Sequence, residues 1–324
     1  VLTARTDLTD YVEAADAVRG AGYRCRGCGA AVVLRTGAIR IAHFAHRPDA
    51  GCAFGARMSL AHLTAQRRLA EALRSRGVEA ELEVALPSLA GDRRIDVLAW
   101  PPERPAARIA LEVQASAITP DLIAARTHSY NAEGIAPLWI RLIDFGVFET
   151  VQTLPFRPAV WIEKRRTRAW ERWAHDQLGG RLWFLDQHAL MAWRGTFVPA
   201  HRVRERAARR TPEGDEAAAE GVWRDVLQWV DLALEGPFAL ETLRLNRGHL
   251  RGADGVRRLA AWFVPPGEAP AAPAGPDVRV RFARDGDTVV RELEVRVDGR
   301  WVPALVEGAP RAWRTVAGAR RPIV

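Results

Sequence analysis

The chain has 324 residues, 48% of them hydrophobic and 27% charged, which suits a folded protein of two or three domains and excludes a disordered one. No run nears the roughly 18 to 20 apolar residues of a membrane span, and Val1 to Asp7 holds no apolar signal stretch, so a cytoplasmic protein without membrane contact is expected. The net charge is +8, and among 47 basic residues only Lys164 is a lysine, so chemistry that needs an ammonium must use it or do without.

All three cysteines fall within residues 25–52. Cys25-Arg-Gly-Cys28-Gly29 places two thiols across a tight turn whose glycines permit the required φ values. Ala31 to Arg35 alternates, Thr36-Gly37 turns, and Ile39-Arg40-Ile41 returns, which predicts a hairpin that delivers His43 and His46, followed by Cys52. A hairpin that brings a His/Cys cluster back to a Cys knuckle is the plan of a zinc ribbon with structural Zn²⁺. Cys25, Cys28, His46 and Cys52 are the favoured ligands, with His43 as the alternative for one place. A redox pair would open a helix rather than a hairpin, and a disulfide framework fits poorly with an odd cysteine count.

Residues 59–76 predict a helix, with Ser59 as N-cap, Leu60, Leu63, Leu69 and Leu73 along one face, and Gly77 as the stop. Glu79 to Leu86 alternates strictly and predicts a strand whose wet face carries Glu79, Glu81 and Glu83. Arg93 to Trp100 and Arg108 to Ser116 predict two more strands around a Pro-rich turn. Thr119 and Pro120 open a second helix that runs to about Glu133 and stops at Gly134. The apolar run Ile135 to Leu142 then predicts a buried strand. Asp96 lies mid-strand, and Glu112, Gln114 and Ser116 share one face of the next strand. An antiparallel neighbour would bring Asp96 beside Glu112 and Gln114, and two carboxylates from adjacent strands suit Mg²⁺ or Mn²⁺. Arg126 and Tyr130 share a helix face with Leu122, four residues apart, where Arg126 could meet a phosphate and Tyr130 could orient it.

Residues 157–210 hold thirteen basic residues against five acidic, an excess equal to the whole chain's net charge. Interleaved with Trp161, Trp170, Trp173 and Trp183, the segment reads either as a nucleic-acid surface through Arg165, Arg166 and Arg168 or as a solvated face over a Trp core. Leu182 to Asp186 and Thr196 to Val198 predict strands, and Val222 to Leu234 predicts an amphipathic helix with Trp223, Leu227, Val230 and Leu234 on one side. Residues 265–277 read as a Pro/Ala-rich linker, and the alternating runs of 278–324 as a small β unit. The boundaries expected are therefore 1–56, 57–145, 146–264, 265–277 and 278–324.

Three stretches, Tyr23 to Gly29, His43-Phe44-Ala45-His46 with Cys52, and Ser59-x-x-His62, carry a resemblance that continues downstream. The downstream stretches are Arg94 to Val97, Leu111 to Ser116, and Arg126-x-x-x-Tyr130 leading into Leu138-Trp139-Ile140. Through them the chain resembles the competence protein CoiA-like family over about residues 20–143. The resemblance implies an α/β PD-(D/E)XK restriction-endonuclease-like αβββαβ core, preceded by a zinc ribbon and followed by a mixed α+β region. It implies metal-dependent DNA cleavage in competence or recombination, with Asp96 and Glu112 as metal-binding acids, Gln114 where the motif usually has Lys, and recombination or DNA-uptake proteins as partners. A nuclease fold that grips DNA without cutting it is the alternative. Met58 stands where the family commonly has Glu, and Gln66 near the place of a helix Lys.

Overall fold

The computed structural model describes residues 1–37, 40–47, 52, 58–86, 93–147, 151–153, 160–199 and 229–269, together with the strands 202–205, 209–210, 216–217, 222–225, 278–285, 288–297, 300–303, 312–316 and 319–323. Residues 270–277 of the expected 265–277 linker, and Ile39, lie outside the described residues. Among the described residues, no helix is long and apolar enough to cross a membrane.

Among the described residues of the N-terminal unit the regular elements are all β. β1 (Thr3–Ala4) pairs with β2 (Val12–Glu13), and β3 (Tyr23–Arg24), β4 (Ala31–Arg35) and β5 (His43–His46) form an antiparallel sheet. The described return strand is His43–His46, and Ile41 of the expected stretch precedes it. Phe44 decides the register, because in β5 it buries against Tyr23, ring centroids 4.9 Å apart.

α1 (Leu60–Arg74) begins where Ser59 Oγ accepts the His62 N–H at 3.1 Å, and Gly77 closes it at φ +74°. β6 (Glu79–Leu86), β7 (Arg93–Trp100), β8 (Ile109–Gln114), α2 (Pro120–Ala132) and β9 (Ala136–Ile143) follow in the order expected. Thr119 Oγ1 caps α2 through the Leu122 N–H, and every residue of β9 is buried. β10 (Val151–Thr153), β11 (Val160–Arg166), α3 (Ala169–Gln177), β12 (Leu182–Asp186) and β13 (Ala192–Pro199) come next. The short strands β14 (Arg202–Glu205), β15 (Arg209–Arg210), β16 (Glu216–Ala217) and β17 (Val222–Asp225) precede β18 (Trp229–Phe238). β19 (Arg244–Arg251) and β20 (Arg257–Val264) form a hairpin, and 278–285, 288–297 and 300–303 form a further antiparallel sheet.

The helix expected over Val222 to Leu234 is instead β17 and β18. Val230, Leu232 and Leu234 are buried at a spacing of two, and β18 lies between β11 and β13 with both faces covered. Val230 and Leu234 satisfy both periods, and the sheet takes the strand.

One mixed sheet of nine strands, ordered β10-β11-β18-β13-β12-β9-β8-β7-β6, holds the chain together. Strands from 146–264 thus extend the sheet of 57–145. β8, β9 and β12 run parallel, and their other neighbours antiparallel. α1 and residues of the β19–β20 hairpin cover one face through Leu69, Leu73, Leu111, Leu138 and Phe263. α2 and α3 cover the other through Ile123, Tyr130, Trp139, Trp170 and Phe184. Trp161, Trp170 and Trp183 are buried, so they are core residues and do not present faces for base stacking.

Candidate active site and metal centre

In the N-terminal unit the Cys25–Cys28 turn is set by the Gly29 N–H donating to Cys25 O at 2.9 Å, with Gly29 at φ +72°. β5 carries His46 across to it, and Cys28 Sγ lies 3.4 Å from His46 Nε2. Ligand atoms of Cys25, Cys28, His46 and Cys52 all lie within 4.8 Å of one another, the one such cluster of three or more metal-ligating groups among the described residues. Zn–S bonds of about 2.3 Å and Zn–N bonds of about 2.0 Å give a tetrahedron with edges of roughly 3.5 to 3.8 Å, so this group could bind zinc. Burial pushes the Cys25 thiol up to about 11. At Cys28 burial is outweighed by hydrogen bonds from the Ala30 N–H and the other two thiols, and its pKa is lowered. His43 turns its Nδ1 to Ile41 O at 3.0 Å and stands outside the group.

The acids of the sheet are placed by an irregularity that the alternating pattern hides. Glu83 takes φ +54°, and the β6–β7 ladder keeps one register from Leu82↔Val97 to Val84↔Ile95 but skips the rung between them, where Glu83 and Asp96 stand. Leu82 and Val97 pack on the α1 side, whereas Val84 and Ile95 pack on the α2 side. Asp96 sits at this crossover. Glu83 is not on a wet face as expected: it is fully buried, and its Oε2 accepts from Leu2 N (2.8 Å), Thr3 N (2.9 Å) and Thr3 Oγ1 (3.0 Å). It thereby ties the first strand of the N-terminal unit to the strand pair that aims Asp96.

The β7–β8 ladder ends at Val97↔Leu111, and beyond it Asp96 Oδ2 accepts the Val113 N–H at 2.8 Å. Asp96 Oδ1 accepts from Gln66 Nε2 at 2.6 Å and lies 3.3 Å from His62 Nε2. Burial alone would raise the Asp96 pKa, but His62, Arg126 and the Val113 N–H outweigh it and hold the carboxyl low. For His62 burial lowers the pKa, and Asp96 reverses it to a net rise. Glu112, opposite on β8, faces α2: Oε1 accepts from Tyr130 Oη at 2.5 Å and Oε2 from Arg126 Nη2 at 2.5 Å. Burial drives Glu112 up to about 7, with Arg126 opposing and Asp96 reinforcing the rise. Arg126 also packs over Trp139, its guanidinium carbon 5.1 Å from the ring centroid.

Of the residues expected here, Asp96, Glu112, Arg126 and Tyr130 come together. Gln114 does not join them, because its Nε2 turns to Ser116 O at 3.0 Å. His62 and Gln66 join the site as well; the resemblance named both positions without giving either a role there, and their i, i+4 spacing on α1 was the available signal. Of the basic trio, Arg166 and Arg168 are exposed. Arg165 is buried, paired with Glu171 at 3.0 Å over the Phe184 and Phe197 rings, so it is not a surface contact.

Two family models match parts of this chain. Residues 9–55 match the family model "Competence protein CoiA, N-terminal domain", and residues 59–146 match "Competence protein CoiA, nuclease-like domain". Competence protein CoiA of Bacillus subtilis (strain 168) is 32% identical over 117 residues, 36% of this chain and 30% of that protein's length. A crystal structure of a protein of unknown function, AF1548, aligns with 26% of this chain and 48% of its own at TM-score 0.21 and 19% identity, a likeness that carries no argument.

Proposed function

We propose, from the premise that this chain is CoiA-like through residues 9–146, that residues 58–146 form a PD-(D/E)XK-type centre that hydrolyses DNA phosphodiesters with Mg²⁺ or Mn²⁺. The Cys25, Cys28, His46 and Cys52 group then holds a structural Zn²⁺. The observation that carries the reading is the pair of buried carboxylates, Asp96 and Glu112, just past the last rung of two adjacent strands.

The donor set fits a hard cation. Among the described residues each Glu112 oxygen and Asp96 Oδ2 accept one hydrogen bond, which leaves lone pairs, and Gln66 Oε1 is a buried oxygen with no hydrogen-bond partner. Asp96 and Glu112, with Gln66 Oε1 beside them, would hold the ion, which when bound supplies Lewis acidity and an acidified water. Asp96 remains ionised at neutral pH, Tyr130 fixes the plane of Glu112, and Arg126 balances its charge. His62 keeps a proton donor beside Asp96. Gln114 rotates away from Ser116 to orient a phosphate oxygen by hydrogen bonding. A DNA-binding role without cleavage is the second reading, favoured because Arg126 and Tyr130 already occupy both oxygens of Glu112.

Zinc-loaded protein incubated with single-stranded, duplex and branched DNA, with Mg²⁺ or Mn²⁺ added, tests the choice. Wild type should cut at least one form and Asp96→Asn none. Binding without cutting of any form selects the second reading.

A further inference from the structure

Beyond Gln114, the carboxyl end of β8 meets a cluster of arginines that the proposed centre does not use. Arg141 on β9 donates from Nη1 to Gln114 O at 3.0 Å and Ala115 O at 2.6 Å. Arg168, exposed at the N-cap of α3, donates from Nη1 to the same Ala115 O at 3.2 Å. Behind them Arg165 reaches Glu171 Oε1 from Nη2 at 3.0 Å, and Glu171 Oε2 accepts the Arg168 backbone N–H.

Among the described residues the charges do not balance. Arg141 and Arg165 are both buried, at 8% and 9% exposure, and Glu171, at 0%, is the carboxylate that pairs with both. Arg141 Nε stands 2.9 Å from Glu171 Oε1 without hydrogen-bond geometry, and Arg165 Nη1 is a buried donor with no hydrogen-bond partner among the described residues. Burial, then the neighbouring Arg168, pushes the Arg141 pKa down to about 10. Buried positive charge in excess of its counter-charge is costly unless an anion completes it. Guanidinium groups are the side chains best matched to phosphate oxygens, and the positive end of α3 adds to the field.

The geometry points to a phosphate-binding seat at the carboxyl end of β8, formed by Arg141 and Arg168 and backed by the Arg165–Glu171 pair. Its nucleic-acid form rests on the reading above, in which the seat holds a backbone phosphate next to the one attacked. The same seat would also take free phosphate, and the test separates the two sources.

Fluorescence anisotropy with a labelled single-stranded oligonucleotide, without added Mg²⁺ and across several salt concentrations, reads the nucleic-acid arm. Arg168→Gln should weaken binding about 3- to 10-fold and lower the salt slope by about one, whereas Arg166→Gln, exposed beside the cluster, should change neither as much. Thermal melting in inorganic phosphate against chloride of equal ionic strength reads the free-anion arm, in which phosphate should raise the wild-type midpoint and leave Arg168→Gln unmoved. A phosphate shift with unaltered oligonucleotide binding assigns the seat to a free phosphate. Equal loss in Arg166→Gln and Arg168→Gln with no phosphate shift, or no effect in either arm, overturns the seat. Failure to cut DNA while the Arg168 effect persists would count against the nuclease reading and leave the seat standing.

Discussion

Replacing Arg126 with Met keeps an apolar stem over Trp139 and removes the cation from Glu112, which is 2% exposed. In zinc-loaded protein free of other divalent ions, the cost depends on pH. Folding raises Glu112 from 4.5 to about 7, so between these values the folded state holds a proton that the unfolded chain releases, and wild-type stability falls as pH rises. Above about 7 wild-type Glu112 ionises against Arg126 and that decline ends. Without Arg126 the carboxyl stays protonated to higher pH, and the decline continues at about 1.4 kcal/mol per unit. Between pH 7 and 8.5 this adds about 2 kcal/mol to roughly 1 kcal/mol for the lost hydrogen bonds, reaching the low end of what breaking a buried pair costs. Urea unfolding should therefore show Arg126→Met losing about 1 kcal/mol at pH 5.5 and about 3 kcal/mol at pH 8.5. Equal losses at the two pH values would refute the ionised pair. Adding Glu112→Gln to the Met variant should erase the difference.

Elemental analysis of purified protein should find about one Zn²⁺ per chain, and Cys25→Ser combined with Cys28→Ser should remove it and destabilise the N-terminal unit. Gly195→Ala should cost about 1 to 3 kcal/mol by urea midpoint, because a Cβ there runs into the Phe184 ring and comes within 3.0 Å of Leu232 Cδ1. Ser59→Ala removes the acceptor of the His62 N–H and should cost roughly 0.5 to 2 kcal/mol on the same scale.

Sequence was most legible where local chemistry and tertiary packing agree. Ser59, Gly77, Thr119, Pro120 and Gly134 mark helix ends through their own side chains or φ values, and the structure has both helices at those marks. Glu83 was misread because alternation assumes regular strand φ values, and the positive φ that turns Glu83 inward answers to the N–H groups of Leu2 and Thr3, about eighty residues away. Val222 to Leu234 was misread because Val230 and Leu234 fit a spacing of four as well as one of two, and only pairing with β11 and β13 selects the strand for β18. Arg165 read as a nucleic-acid contact or a solvated residue by composition alone, and only the fold supplies Glu171 and two aromatic rings to bury it. The convergence of Asp96 and Glu112 was readable from strand parity, whereas the hold of His62 and Gln66 on Asp96 needed α1 laid across the sheet.

The place of β18 in the sheet constrains the order in which the molecule can be completed during synthesis. β13 ends at Pro199 and β18 begins at Trp229, yet β18 is the sole link between β13 and the β11–β10 pair. At about 5 to 20 residues per second, translation leaves an interval of a few seconds in which β6 to β9, β12 and β13 can assemble. Through that interval β13 presents an unpaired edge, and β10 and β11 have no neighbour in the sheet beyond each other. A chain halted near residue 199 would thus expose the two strand edges that β18 later joins, and those are the surfaces a chaperone would have to shield until residue 238 emerges.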